Sequence, residues 1–281
     1  MAAPADQPRI ELVHGHRIPR VGVGTWPHRD QECEDTVAEA IRLGYRLIDT
    51  AFKYGNEEAV GRGIARSAVP RSELFVTSKF NKESHSVDGV KRAYEASLQK
   101  LGLEYLDLFL IHWPVPALDQ YIEAWKGLVA LLEEGAVKAI GVSNFKPAHL
   151  DRILDATNVV PDVNQIQLSV DLARLGPRAV HSAHGILTQS WSPLGRGGAL
   201  LADPYVVGLG KRYGKSPAQI LLRWHIDHGI VPVPRADDST QLAQNVDLFD
   251  FKLAPDELER LDAFDLGEAA ARDSDDPANG H

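Results

Sequence analysis

Apolar residues of this chain recur in short continuous runs, and the segments between the runs have a different periodicity. Short runs of this kind, bounded by glycine and polar residues, are typical of buried strands. Eight of them follow one another along the chain: Val21–Gly24, Leu47–Thr50, Leu74–Ser78, Leu106–His112, Val137–Ser143, Val163–Gln167, Ile186–Trp191 and Gly229–Val233.

The intervening segments carry apolar residues at helical spacing, as in Cys33, Val37 and Ile41 or in Val90, Tyr94 and Leu98. Alternation of strands and helices predicts parallel strands joined by right-handed crossovers. Eight such units in 281 residues favour a closed barrel, which typically takes about 250 residues. We therefore predict an α/β fold, an eight-stranded parallel β/α (TIM) barrel, with residues 1–281 in a single domain.

The two ends of the chain depart from this repeat. Arg9–Val13 and Arg17–Pro19 flank His14-Gly15-His16 and predict an N-terminal β-hairpin within residues 1–20, over the lower mouth of the barrel. Residues 267–281 are rich in Ala, Asp and Gly, so we expect a mobile tail. Pro232 lacks an amide donor, which predicts a short or bulged eighth strand.

Polar side chains stand at the predicted carboxyl ends of the strands, where β/α barrels hold their active sites. Asp49, Lys79 and His112 end strands two, three and four, and Tyr54 follows strand two closely. An ammonium near a phenol lowers the phenol pKa, so Lys79 would make Tyr54 a better proton donor. Asp49 would keep Lys79 charged, and His112 would orient a substrate oxygen. This group predicts protonation of an alkoxide as it forms on a carbonyl.

Five motifs, in order, carry a resemblance to a known family. They are Gly44–Ala51 with Tyr54-Gly55-Asn56-Glu57, then Thr77-Ser78-Lys79, Leu110-Ile111-His112-Trp113-Pro114, Ile140–Phe145 and Trp191-Ser192-Pro193-Leu194-Gly195. Together they resemble the aldo-keto reductases, nearest to the bacterial diketogluconate-reductase-like branch, from about Ile10 to Leu266. The resemblance implies reduction of aldehydes or ketones by hydride transfer from a nicotinamide, with Tyr54 as general acid and Lys79, Asp49 and His112 as its partners.

The resemblance also implies two sets of binding residues. Those expected to contact the cofactor are Gly24, Thr25, Trp26, Ser143, Asn144, Gln165, Trp191, Ser192, Leu194, Gly195, Arg235, Gln241, Gln244 and Asn245. Those expected to line the substrate pocket are Trp26, Tyr54, Phe80, His112 and Trp113.

The family takes NADP(H) by default, but this chain departs from the usual contacts to its 2′-phosphate. Where the family reads Pro-Lys-Ser followed by an Arg, this chain has Pro234-Arg235-Ala236-Asp237-Asp238 and then Gln241. Arg235 keeps one cation, whereas Asp237 and Asp238 would repel a phosphate. Carboxylates near a ribose are typical of NAD sites, so NAD(H) is a possible cofactor too.

Two other functions are open to the same residues. Lys79 could be the Schiff-base nucleophile of an aldolase, although such a lysine must be neutral and Asp49 opposes that. Alternatively, the barrel could bind the nicotinamide cofactor as a non-catalytic redox sensor or scaffold, although the complete set of four polar residues favours catalysis.

Composition narrows the expected partners. A formal charge of −9 without a basic stripe argues against nucleic acid. The single cysteine and the lack of a leader or of an apolar run of about 20 residues predict a cytoplasmic protein that does not enter a membrane. Two histidine pairs at helical spacing have no evident third ligand, so we expect no metal. We expect a monomer that binds a small carbonyl substrate.

Overall fold

The computed structural model of the chain describes residues 7–195 and 198–279. Its strands are β1 (Arg9–Glu11), β2 (Arg17–Pro19), β3 (Val23–Gly24), β4 (Leu47–Asp49), β5 (Phe75–Phe80), β6 (Leu108–Ile111), β7 (Ala139–Ser143), β8 (Val163–Gln167), β9 (Leu187–Trp191) and β10 (Val231–Pro232). β1 and β2 form an antiparallel hairpin, and β3 to β10 form an eight-stranded parallel sheet in chain order. The predicted barrel and hairpin are confirmed.

Helices follow the strands and pack around the sheet. They are α1 (Asp30–Arg42), α2 (Glu57–Arg66), α3 (Val87–Leu101), α4 (Tyr121–Glu133), α5 (Pro147–Thr157), α6 (Leu175–His184), α7 (Pro204–Tyr213), α8 (Pro217–Asp227), α9 (Ser239–Val246) and α10 (Pro255–Asp262). None of those in the described residues is both long and apolar enough to cross a membrane.

Backbone bonds between the first and last strands close the sheet into a barrel. The amide of Gly22 donates to the carbonyl of Pro232, and that of Gly24 donates to the carbonyl of Pro234, each over 3.0 Å. Glycine suits position 24 because a Cβ there would lie only 3.0 Å from the Val233 carbonyl oxygen. β10 is only two residues long, as expected for a strand that contains proline.

The hairpin covers the amino-terminal mouth of the barrel. Leu12 and Ile18 are buried against inward-facing strand residues such as Leu47 and Leu108. The backbone amide and Nδ1 of His14 lie 3.0 and 2.9 Å from the carboxylate of Asp162, just before β8. With this end closed, the carboxyl ends of the strands remain as the open face.

The segment from residue 267 onward makes several polar contacts at the rim of that face. Glu268 pairs with the buried Arg174 at 2.9 Å, and Asp273 and Asp275 lie 2.5 and 2.6 Å from Lys146 Nζ. The mobility expected for this tail, and the single-domain assignment of residues 1–281, stay predictions.

Candidate active site

A buried ion pair forms the floor of the open face. Lys79 on β5 and Asp49 at the end of β4 are both buried, and Nζ lies 2.6 Å from Oδ1. Nζ also donates to the Thr50 carbonyl over 2.9 Å. Burial by itself would lower the pKa of Lys79, but the charge of Asp49 and the contact with Tyr54 outweigh it, so the net pKa is raised. Lys79 is therefore an ammonium, which is the wrong form for a Schiff-base nucleophile.

Tyr54 lies above this pair at the end of a 3₁₀ turn, Phe52–Tyr54, that follows β4. Its hydroxyl is 3.5 Å from Lys79 Nζ, and Nζ is 5.1 Å from the ring centroid. Burial raises the pKa of Tyr54 above its usual value, and the Lys79 ammonium offsets only part of that rise. Lys79 thus acts in the direction predicted from the sequence, but burial, which the sequence analysis left out, outweighs it. A phenol in this state keeps its proton at neutral pH.

His112 completes the group directly after β6. Its ring meets the Tyr54 ring edge-on with the centroids 5.6 Å apart. Burial, followed by the charges of Lys79 and Lys53, holds the pKa of His112 well below its usual range. At neutral pH the imidazole is uncharged, so it can donate from only one ring nitrogen. The structure thus brings together the four polar residues of the sequence prediction.

Beside His112, Asn144 and Trp191 form the next part of the rim. The indole Nε1 of Trp191 donates to Asn144 Oδ1 over 2.8 Å. Asn144 Nδ2 in turn lies 3.0 Å from the His112 carbonyl and 3.1 Å from Ser143 Oγ. Asn144 has a left-handed backbone with φ of 64°, which directs its side chain into this network.

Gln165 links the same rim to the buried ion pair. Its Nε2 donates to Asp49 Oδ2 over 2.7 Å and to Gln189 Oε1 over 2.8 Å. The second oxygen of Asp49 is thereby satisfied from the strand on the far side of the barrel. Asp49 is therefore fixed from both sides, by Lys79 and by Gln165.

Asn164 is a residue that the sequence reasoning missed. Its Nδ2 donates to the Phe145 carbonyl over 2.9 Å and lies 2.9 Å from Nε2 of the buried His181. It thereby holds the backbone directly after Asn144. The signal available in the sequence was a polar residue in an apolar strand run, next to Gln165 and thus on the opposite face of the strand.

Besides Tyr54 and His112, three aromatic residues were predicted to line the pocket; two of them lie at the carboxyl ends of the strands and one does not. Trp26 is 51% exposed and lies 5.4 Å from the Tyr54 ring, and Trp113 follows His112. Phe80, however, is fully buried and packs on Phe109 at 5.0 Å. Side chains alternate along a strand, so Phe80 faces the helices because Lys79 faces the barrel interior. The prediction of Phe80 as a pocket residue is wrong for this structure.

The rim after β10 is built from exposed charges. Arg235 makes a two-pronged contact with Asp237, with Nε to Oδ1 at 3.0 Å and Nη2 to Oδ2 at 3.1 Å. Asp238 accepts from the Gln241 amide at the start of α9, and Gln241 Oε1 accepts from the Asp237 amide. The cation kept by Arg235 is therefore already paired. Gln244 and Asn245 follow on α9.

The remaining predicted cofactor residues flank these groups. Gly24 ends β3 and Thr25 follows it, and the turn after β9 holds Ser192, Leu194 and Gly195. The buried Oγ1 of Thr25 and Nε2 of Gln189 have no hydrogen-bond partner among the described residues. Gln189 bonds Gln165, and an unpaired buried amide next to further amides suits a polar ligand. Across the described ranges no cluster of His, Cys, Asp or Glu is arranged to hold a metal ion.

Comparison with known proteins gives one consistent result. A profile described as the aldo/keto reductase family matches residues 20–266. The chain is 43% identical to methylglyoxal reductase DkgA of Escherichia coli K12 over 270 residues, covering 95% of this chain and 96% of that protein.

Solved structures give the same match. The crystal structure of an aldo/keto reductase from Brucella melitensis is similar with a TM-score of 0.89, 40% identity and coverage of 92% of this chain and 100% of that one. A Bombyx mori aldo-keto reductase in complex with NADP has a TM-score of 0.86 and 37% identity, covering 93% and 94% of the two chains.

Proposed function

Because the chain belongs to the aldo/keto reductase family and is therefore an NAD(P)H-dependent oxidoreductase that reduces carbonyl groups, we propose that Tyr54, Lys79, Asp49 and His112 carry its reaction. The observation that supports this assignment is the Tyr54 hydroxyl 3.5 Å above a buried, charged lysine. Such a phenol is protonated in the resting site and has a cation ready to stabilise its phenolate.

In the proposed mechanism the proton moves from Tyr54 Oη to the substrate oxygen. When bound, the reduced nicotinamide supplies the hydride to the carbonyl carbon. Lys79 stabilises the phenolate that Tyr54 becomes, and Asp49 keeps the ammonium in place. His112 orients the carbonyl oxygen toward Tyr54. Because Lys79 and Asp49 are already bonded to each other, this buried ion pair can stabilise the phenolate without reorganising.

The groups beside His112 suit the nicotinamide. Ser143, Asn144 and Gln165 would bond its carboxamide, and Trp191 would stack on the ring. Thr25, whose hydroxyl has no hydrogen-bond partner in the part of the chain that the structure describes, would bond the cofactor outside its carboxamide. The turn after β9 and the segment from Arg235 onward would hold the pyrophosphate and adenosine ends.

For the cofactor we propose NADP(H) with weak discrimination against NAD(H). Relatives crystallised with NADP or NADPH support the first part. The second follows from the Arg235–Asp237 pair, because a 2′-phosphate must displace the Asp237 carboxylate to reach Arg235.

We propose a small carbonyl compound as substrate, bound between Trp26 and Trp113 at the open face. A monomer in the cytoplasm, without nucleic acid as partner, stays our prediction. Neither alternative function has support: the Lys79 ammonium opposes an aldolase, and the assembled polar group gives no reason to infer a sensor without catalysis.

The test replaces Tyr54 by Phe. With NADPH and an aldehyde panel, we expect kcat to fall by about a thousandfold, because general acid catalysis contributes on that scale. The Kd for NADPH, followed by tryptophan fluorescence, should stay within about twofold. Tyr105→Phe, at the opposite end of the barrel before β6, is the matched control. A fully active Tyr54→Phe enzyme would refute the assignment.

A further inference from the structure

Asn81 contacts the imidazole that the proposed reaction uses to orient the substrate. It follows β5 directly and is 5% exposed, and its Oδ1 lies 3.2 Å from His112 Nδ1. Asn81 is two residues beyond Lys79, so it shares the inward face of the strand. Sequence reasoning did not single it out.

The charges around His112 keep its ring neutral. Lys79 and Lys53 both oppose a positive imidazole, the negative charge of Asp49 is bonded to Lys79, and Tyr54 is protonated. A neutral imidazole has one N–H, so the proton is on Nδ1 or on Nε2 but not on both.

The orientation of the Asn81 amide and the position of the proton on the His112 imidazole depend on each other. With the amide oxygen toward Nδ1, as in this structure, the proton lies on Nδ1 and Nε2 can only accept. With the amide turned by half a rotation, its nitrogen donates to Nδ1 and the proton lies on Nε2. Only the second arrangement gives a neutral His112 a donor for a substrate oxygen.

We propose that Asn81 is a positioning residue that sets which nitrogen of His112 carries the proton, and that its amide nitrogen donates to Nδ1 in the reactive complex. This inference rests on the proposed role of His112 in carbonyl reduction. Asn81 thereby decides whether His112 donates to the substrate or accepts.

Asn81→Asp tests the proposal because a carboxylate can only accept. At neutral pH it holds the proton on Nδ1, and kcat should fall at least tenfold. The new negative charge also raises the pKa of His112, and the imidazolium donates from both nitrogens. The ratio of variant to unsubstituted kcat should therefore rise as the pH is lowered from 8 to 6.

Asn158→Asp, the same change at the exposed end of α5, is the control and should leave the pH profile unaltered. A loss of kcat in Asn81→Asp that is constant from pH 8 to 6, or no loss, would overturn the proposal. The Tyr54→Phe result separates this from the proposed function: an inactive Tyr54→Phe enzyme with an unaffected Asn81→Asp enzyme refutes only the role of Asn81.

The imidazole ¹⁵N signals give a readout without turnover. The His112 signals are identified by their loss in His112→Asn, and the enzyme is saturated with NADPH and a product alcohol, a pair between which no hydride can be transferred. We expect the proton on Nε2 in the unsubstituted enzyme and on Nδ1 in Asn81→Asp at pH 8. If the aspartate variant does not fold, Asn81→Ser replaces it and should show mixed tautomers. An unchanged single tautomer in either variant would contradict the inference.

Discussion

The open face of the barrel has two halves that are built differently. Around Lys79 the charged groups are buried, and the Asp49 carboxylate is bonded both to Lys79 and to Gln165. After β10 the charges lie at the surface, where Arg235 and Asp237 are 52% and 54% exposed and bond each other. A buried charge that loses its partner is costly, whereas an exposed pair contributes little to stability. Under the proposed function, we therefore expect the first half to tolerate little change, and the second half to allow changes in cofactor preference at small cost in stability.

Removing the lysine of the buried half should have the largest effect. Lys79→Met leaves the Asp49 carboxylate buried without its cation, so the free energy of unfolding should fall by about 3–5 kcal/mol. Urea denaturation measures it, with the exposed Lys252→Met as control. A loss below about 1 kcal/mol would mean that the two halves are equally tolerant and that the comparison fails.

The buried half extends outward through Asn164 to His181, and its stability should depend on pH. Burial lowers the pKa of His181 to about 4, so between pH 6.5 and 4 the unfolded chain binds a proton that the folded chain does not. Stability is complete above pH 6.5 and is lost as the pH falls, by about 2 kcal/mol for this residue between pH 7 and 5.

Urea denaturation midpoints at pH 7 and pH 5 measure this loss. In His181→Gln, the part of the loss that is due to His181 should be absent. The exposed His16→Gln is the control. Equal pH dependence in the two variants would show that His181 does not contribute to the loss of stability.

A substitution in the exposed half should change the preference between NADPH and NADH rather than the stability of the protein. Asp237→Asn frees Arg235 for a 2′-phosphate, so the ratio of the NADH Kd to the NADPH Kd should rise about tenfold, roughly 1.4 kcal/mol. Fluorescence titration with both cofactors measures it, and Asp151→Asn on α5 is the control. A ratio that stays within twofold, or moves toward NADH, would show that the pair does not limit phosphate binding.

Most of the candidate site that could be predicted from the sequence consists of residues at the carboxyl ends of the strands. Asp49, Lys79 and His112 end neighbouring parallel strands, and the topology then requires them to meet. Phe80 was misplaced because a motif gives neighbours in sequence but not the face of the strand on which each one lies. The lowering of the Tyr54 pKa by Lys79 was predicted, but the larger rise was not, because the effect of burial is known only once the packing is known.

Two contacts needed the folded chain. Asn81 and His112 are 31 residues apart, and Asn164 and Phe145 are 19 apart, so no local pattern relates them. The Arg235–Asp237 pair is different, because its members are two residues apart and the acidic substitution was already visible in the sequence.

The backbone bonds that join the first and last strands allow the opening of the barrel to be followed by hydrogen exchange. Its bonds run from the amides of Gly22 and Gly24 to the carbonyls of Pro232 and Pro234, and prolines have no amide proton to exchange. Deuterium uptake at the two glycine amides therefore reports separation of the first strand from the last. Uptake at these two glycines should be compared with uptake at the amides within β5 to β8. The comparison shows whether the barrel opens between its first and last strands before the rest of the sheet unfolds.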